Sequence, residues 1–422
     1  MMFAVKHIFY TKIILFKKKI YKYNYMTSKT EIFNNYETNE ELQYYDSFES
    51  EELGINESVL KGIFAFGYEK PSAIQRIGMK PIMDGRDSVI QSHSGSGKTA
   101  TFIIGLLHRI VEEERTNQCI IISNTRELAD QTFKVFKELT KFTKITGKLC
   151  IGGDMGNKYN DDRINEHVII GTPGRLCDLL NKNIISGDTI KIIVVDEADD
   201  VLSSSFKKQV KKIFRTLSQD SQVVLLSATI PEEMSELFPL ILKPDYLSVF
   251  VKDDELSLEG IKQYYVYLNE NDKFQTLIEL YKVLSIGQAI VYCNTKFRAD
   301  DLCHFLNDNN FTASVLHGDM MQKERKDIMN QFRCGKYRIL ITTDILARGI
   351  DVQQVSLVIN YDMPKYPQTF IHRSGRGGRQ GRKGITINFV TKREKSILYT
   401  IEKTYSIRID PLPESIDEIS RF

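Results

Sequence analysis

The chain has 422 residues, 42% of them hydrophobic and 27% charged, which is enough to bury more than one core, so two domains are expected. Its six cysteines, Cys119, Cys150, Cys177, Cys293, Cys303 and Cys334, form no CxxC pair and have no histidine at zinc-ligand spacing; neither a disulfide framework nor a metal cluster is indicated, and a reducing compartment fits. The net charge is only +2, and Lys6, Lys12, Lys17, Lys18, Lys19 and Lys22 near the start are unopposed by any acid, leaving the rest net acidic. Composition alone therefore does not point to nucleic acid.

The apolar run from Ile8 to Phe16 is broken by Lys12 and is far shorter than the roughly 20 residues of a bilayer span, so no membrane helix is expected. The same segment lacks the Arg and Ser enrichment and the cleavage site of a targeting peptide. Met26 is read as the true start and residues 1–25 as upstream sequence. From about residue 60, short β-branched runs alternate with longer segments of helical period, the pattern of a mostly parallel sheet covered by helices on both faces. The expected strands are Ser88 to Gln91, Cys119 to Ile122, Val168 to Ile170, Ile192 to Val195 and Val223 to Leu226. The charged stretch Lys252-Asp253-Asp254-Glu255 interrupts the rhythm. It resumes with Ala289 to Tyr292, Thr312 to Leu316, Arg338 to Thr342, Leu357 to Asn360 and Ile385 to Val390. The division expected is an N-terminal extension 1–43, a first α/β domain 44–247, a linker 248–255, a second α/β domain 256–413 and a tail 414–422.

Two motifs carry chemistry on their own residues. Ser92-His93-Ser94-Gly95-Ser96-Gly97-Lys98-Thr99 follows a strand and opens a helix with Phe102, Ile103, Leu106, Leu107 and Ile110 at apolar positions, the context of a phosphate-binding loop. Gly95 and Gly97 allow backbone N–H groups to turn toward phosphate, Lys98 can reach the β- and γ-phosphates, and Thr99 can ligate Mg2+. The first Gly of the usual pattern is Ser92, and a plain Gly/Ser-rich loop would also read this way in isolation. Further on, the strand Ile192 to Val195 ends in Asp196-Glu197-Ala198-Asp199. A carboxylate at that end of a buried parallel strand faces the ligand crevice, where Asp196 would hold Mg2+ through its water shell and Glu197 would orient or deprotonate a water. An acid-rich helix start is the plainer alternative.

Together with the motifs around them, these residues resemble the DEAD-box RNA helicases from Phe48 to about Ile419. The first half carries Gly67-Tyr68-Glu69-Lys70-Pro71-Ser72-Ala73-Ile74-Gln75, Thr125-Arg126-Glu127-Leu128-Ala129, Gly152-Gly153, Thr172-Pro173-Gly174-Arg175 and Ser227-Ala228-Thr229. The second carries Tyr292-Cys293-Asn294-Thr295, Gln322 with Arg325, Thr343-Asp344, Ala347-Arg348-Gly349-Ile350-Asp351 and His372-Arg373-Ser374-Gly375-Arg376-Gly377-Gly378-Arg379. The resemblance implies tandem RecA-like domains that close on ATP, Mg2+ and single-stranded RNA. It implies that Gln75 reads the adenine edge with Phe48, Tyr68 and Lys70 nearby, and that Ser94, Gly95, Ser96, Gly97, Lys98 and Thr99 cradle the phosphates. It further implies that Asp351 bonds the ribose, that Arg376 and Arg379 act as arginine fingers, and that His372 bridges toward the DEAD segment. RNA contacts by resemblance are Arg126, Gly153, Thr172, Arg175, Gln322, Arg325 and Thr343, directed at phosphates and 2′-hydroxyls and so with little sequence preference.

The chain departs from the family at Asn124, where Pro is usual, at His93 for Gln and at Gly377 for Ser, and Phe48 lies about two residues farther from Gly67 than usual. Within the family, the stretch from Asp254 to Gln263 and Arg348-Gly349-Ile350-Asp351 resemble the eukaryotic initiation factor 4A group. That implies a cytoplasmic monomer working in translation initiation with a scaffold-factor partner, and no membrane. Relatives in exon-junction assembly or ribosomal RNA processing, which would be nuclear or nucleolar, stay open. So does a slowly cycling ATP-locked RNA clamp; a DNA helicase is disfavoured by the Gln75 element together with Ser227-Ala228-Thr229.

Overall fold

The computed structural model describes residues 36–39, 43–92, 95–152, 163–202, 206–251, 261–283, 287–346, 355–376, 384–405 and 407–413. Residues 1–25 and the site candidates Ser94, Gly153, Asp351 and Arg379 lie outside them.

Two sheets organise the chain. The strands of the first are β1 (Tyr36–Thr38), β2 (Ser88–Gln91), β3 (Cys119–Ile122), β4 (Gly147–Cys150), β5 (Val168–Gly171), β6 (Ile192–Asp196), β7 (Gln222–Ser227) and β8 (Leu247–Val251), in the spatial order β1-β8-β2-β7-β6-β3-β5-β4. Only the β1–β8 pairing is antiparallel. The second sheet holds β9 (Ile261–Tyr267), β10 (Ala289–Tyr292), β11 (Ala313–Leu316), β12 (Ile339–Thr342), β13 (Leu357–Asn360), β14 (Gly384–Val390) and β15 (Asp410–Pro411), ordered β11-β12-β10-β13-β14-β9-β15 and parallel throughout.

Parallel strands linked by helical crossovers are covered on both faces, so their side chains are buried whichever way they point. Along β3, Cys119 and Ile121 enter one apolar cluster while Ile120 and Ile122 enter the other; along β10, Ala289 and Val291 separate from Ile290 and Tyr292 in the same way. The helix Lys98–Leu107 is buried nearly all round, Thr99 alone being partly exposed, so its face is wider than the apolar positions expected from the sequence.

All ten strands expected from the sequence are present, with ends shifted by a residue at most. The five others among the described residues, β1, β4, β8, β9 and β15, lie at sheet edges or next to them. Edge strands keep polar residues on a wet face, which dilutes the apolar signal: in β4 only Cys150 is buried, and in β9 only Gln263 and Tyr264. Two boundaries move as a result. Residues 248–251, expected in the linker, belong to β8, and Tyr36–Thr38, expected in the N-terminal extension, pair with it.

The strand order explains where the chemistry gathers. Strands β2, β7 and β6 are neighbours running in the same direction, so their C-terminal ends deliver the phosphate loop, Ser227-Ala228-Thr229 and the DEAD segment side by side. In an open parallel sheet that end is the ligand crevice.

Candidate active site and nucleic-acid groove

The phosphate loop is held open by its glycines and by the helix Ala73–Met83. Gly95 and Gly97 have φ of 87° and 105°, the left-handed region that side chains disfavour. A Cβ on Gly97 would also stand 2.9 Å from both Gln75 Nε2 and Ser72 Oγ. Ser72 Oγ donates to the Ser96 carbonyl at 2.8 Å, and Gln75 Oε1 accepts from the Ser72 N–H at 2.8 Å while its Nε2 faces the Gly97 carbonyl at 3.5 Å. Gln75, expected at the adenine edge, thus has both ends engaged by the loop and its own helix start. Lys98 is buried and its ammonium donates to the Ser92 carbonyl. Tyr68 is half-buried, Lys70 is exposed, and Phe48 sits 1% exposed inside an apolar cluster, the position of a packed core residue.

At the end of β6 the two carboxylates are out of water. Asp196 Oδ1 accepts from the Glu197 N–H at 3.0 Å. Burial, and then the Glu197 charge, push the Asp196 carboxyl up to about 7 against the opposing pull of Lys98. Glu197 has φ of 51°, a left-handed conformation that costs a side-chain-bearing residue of order 1 kcal/mol and persists where surroundings enforce it. Its Oε2 is buried, with no hydrogen-bond partner among the described residues, 3.8 Å from His372 Nδ1.

Asp199 is the junction between the two halves. Its Oδ2 accepts from Thr229 Oγ1 at 2.6 Å and meets His372 Nε2 at 2.8 Å, with both side chains of that pair fully buried. Ser227 Oγ receives the Asp199 N–H at 3.3 Å and donates to the Thr229 carbonyl at 2.7 Å. A continuous polar chain therefore runs from the end of β7, through the DEAD segment, into the helix Pro367–Ser374 of the second domain. Arg376, 3% exposed, follows the same helix.

The sequence gives no separate sign of the role of Arg373, among the largest fully buried side chains of the described residues. It donates to Asp344 Oδ1, Asn360 Oδ1, the Asp362 carbonyl and Asn294 Oδ1 at 2.6, 3.2, 2.7 and 2.8 Å, and lies over the Tyr292 ring. It joins the ends of β10, β12 and β13 to the helix that carries His372. A fixed, always-charged fork suits that task. The motif spacing announces an arginine there but not which partners it serves.

On the other flank of the seam, a groove of about 560 Å³ is lined by residues of both domains, among them Arg126, Thr172 and Arg175 from the first and Gly318 and Arg325 from the second. Four of the seven expected RNA residues therefore meet. Gln322 starts the helix that carries Arg325, and Thr343, partly exposed, follows β12. The two domains are tied across the groove by ion pairs that the sequence does not disclose: Arg325 Nη1 to Glu127 Oε1 at 2.9 Å and Lys326 Nζ to Asp130 Oδ1 at 3.5 Å. Asn124, the departure from the family's Pro, lines the groove and donates to Asp200 Oδ2 at 2.8 Å, linking groove wall to DEAD helix.

Two RecA-like domains that share a buried seam, with a phosphate loop on one side and an arginine-bearing helix on the other, define a nucleotide-driven motor of the helicase class. The chain belongs to the DEAD/DEAH box helicase family: the model of that description matches residues 72–237, and that of the helicase conserved C-terminal domain matches residues 272–381. It is 47% identical to the eukaryotic initiation factor 4A of Drosophila melanogaster over 89% of this chain and 93% of that one. It is 46% identical to the ATP-dependent RNA helicase eIF4A of Mycosarcoma maydis over 92% and 93%. Among solved structures it resembles S. cerevisiae Dbp5 bound to RNA and ADP BeF3, with a TM-score of 0.82 and 39% identity, covering 89% of this chain and 98% of that one.

Proposed function

We propose that this chain is an ATP-dependent RNA helicase that melts short RNA duplexes locally when its two domains close on ATP and a single strand. The observation that carries the reading is the buried chain Ser227–Thr229–Asp199–His372, which ties the carboxylates at the end of β6 to the second domain beside a two-domain groove. Gly95, Ser96 and Gly97 offer backbone N–H groups to the phosphates, and Lys98 leaves the Ser92 carbonyl to meet their charge. Glu197, held in its strained conformation, orients the attacking water and takes its proton. Arg376 faces the transferring phosphoryl group from the second domain, so hydrolysis waits for closure; the family resemblance assigns Arg379 the same task.

Magnesium fits this donor set. Thr99 and Asp196 present hard oxygen ligands, and the raised pKa of Asp196 marks a buried carboxylate with too little positive charge around it. Thr99 and Asp196 would hold the ion, which when bound supplies neutralisation of phosphate charge.

Arg126, Thr172, Arg175 and Arg325 bind the backbone of the strand rather than its bases, which gives affinity without sequence preference. The test is phosphate release and strand displacement on a short RNA duplex. Single-stranded RNA should stimulate hydrolysis, and strands should separate only with ATP. Hydrolysis indifferent to RNA, or equal action on DNA, would overturn the reading.

The finer role we infer is unwinding of messenger RNA in translation initiation, in the cytoplasm, with a scaffold factor as partner. It is supported by likeness along most of the chain to proteins named eukaryotic initiation factor 4A. Affinity purification from its own cells tests it: initiation factors and ribosomal subunits are expected, and a splicing or nucleolar retinue would contradict it. Among the described residues no helix is long and apolar enough to cross a membrane.

A further inference from the structure

Phe297 and Met321 are 71% and 75% exposed. Single exposed apolar side chains are ordinary on a soluble protein and need no explanation. These two differ in where they stand. Phe297 is the second residue of the helix Lys296–Asp308, and Met321 is the residue that caps the helix Gln322–Arg333, the helix that brings Arg325 to the groove. Lys296 pairs with Asp319, joining the two helix starts, and its ammonium lies 5.1 Å from the centre of the Phe297 ring. Asp319 directly follows Gly318, which lines the groove. Among the described residues, a Cβ on Gly318 would meet only Ile345 Cδ1, at 3.8 Å. An exposed aromatic ring beside a cation is therefore joined, through the Lys296–Asp319 pair, to the second-domain wall of a groove whose lining includes Arg126, Arg175 and Arg325, which are suited to phosphate.

We propose that Phe297 is a base-stacking platform that extends the groove: the backbone of the bound strand is held by the arginines, and a nucleobase of that strand lies against the Phe297 ring. Stacking tolerates any base, because every base has a π-face. The platform adds affinity without adding sequence preference. It also favours a strand whose bases are already unpaired, since a base in a duplex has no face to offer. The proposal rests on the reading of the groove as an RNA site.

The test uses the full chain with a non-hydrolysable ATP analogue and short single-stranded RNAs in which one base at a time is removed while the sugar–phosphate backbone is kept. Wild type should lose about 5- to 100-fold in affinity when the base over Phe297 is removed, the range of one base–aromatic stack. Phe297→Ala should lose the same factor on intact RNA and nothing further at that abasic position. Phe297→Trp should keep wild-type affinity, and the salt dependence of Phe297→Ala should be unchanged. Arg175→Ala is the control, expected to weaken binding and flatten the salt slope by about 0.7 log units per log unit. Loss in Arg175→Ala with binding by Phe297→Ala within about twofold of wild type would overturn the platform alone. An abasic penalty that persists in full in Phe297→Ala would do so too. If Arg175→Ala also binds normally, the groove reading falls with it. The side chain lies outside the core, so the alanine variant tests binding rather than folding.

Discussion

The two flanks of the interdomain seam are built from different physics. On the nucleotide flank, Asp199 and His372 meet at 2.8 Å with both side chains fully buried, inside a hydrogen-bonded chain that also holds Ser227 and Thr229. On the groove flank, Arg325–Glu127 and Lys326–Asp130 are ion pairs whose exposure rises outward, Lys326 being about half exposed. A buried hydrogen-bonded contact is insensitive to salt and unforgiving of lost geometry, whereas a surface ion pair is weak and screened. On the proposed function, the difference makes the nucleotide flank the switch and the groove flank an adjustable latch beside the strand.

The largest effect that would break this division is at Arg376. If it meets the phosphoryl group only across the seam, Arg376→Ala should cut RNA-stimulated hydrolysis by at least about 10³, roughly 4 kcal/mol of transition-state stabilisation, with ATP affinity little changed. Single-turnover hydrolysis and nucleotide titration measure both. A finger variant with normal turnover would remove the catalytic role from the nucleotide flank.

Next in size is Asp196, whose carboxyl is raised to about 7 in the folded protein. Between about pH 4 and pH 7 the folded state keeps a proton that the unfolded chain releases, so this group makes stability fall as pH rises through that window. Asp196→Asn removes the penalty. In the absence of nucleotide and divalent ions it should be the more stable form at pH 8, by up to about 4 kcal/mol, and gain little near pH 4. Thermal melts at the two pH values test this, and equal stability at pH 8 would show that the site is not charge-frustrated.

The groove flank should respond more mildly. Glu127→Gln leaves the buried Arg325 guanidinium without its carboxylate and should weaken ATP-dependent RNA binding by about 1–2 kcal/mol, or 5- to 30-fold. Lys326→Ala, at an exposed pair, should stay within about 1 kcal/mol and lose even that at high salt. Equal losses from both in equilibrium RNA binding would mean that the latch is not graded from inside out.

Much of this arrangement is legible in the sequence. The phosphate loop, the DEAD carboxylates and Ser227-Ala228-Thr229 follow apolar strands, and a parallel sheet places strand ends at its crevice whatever the details. Long-range pairing is what the sequence hides. Glu127 and Arg325, like Asp199 and His372, are brought together across more than 150 residues of chain, and no local period encodes which acid faces which base. The family resemblance implies that His372 turns toward the DEAD segment, but not that Asp199 is the residue it meets. Arg373 stands within a recognisable motif, yet its four-partner role is invisible there, because its partners come from three separate strand ends. The edge strands are hidden for a different reason: a strand with one wet face, such as β4, carries too few apolar residues to be told from a loop.

The central claim is that Glu197 activates the attacking water without being needed for binding, and Glu197→Gln tests it most directly. The amide keeps the side chain's size but cannot accept the proton, while Asp196, Lys98 and the groove are untouched. RNA-stimulated phosphate release should fall by roughly 10² to 10⁴, the worth of a general base, with ATP-dependent RNA binding retained. Turnover reduced by less than about tenfold, or loss of ATP-dependent RNA binding in step with hydrolysis, would contradict the account.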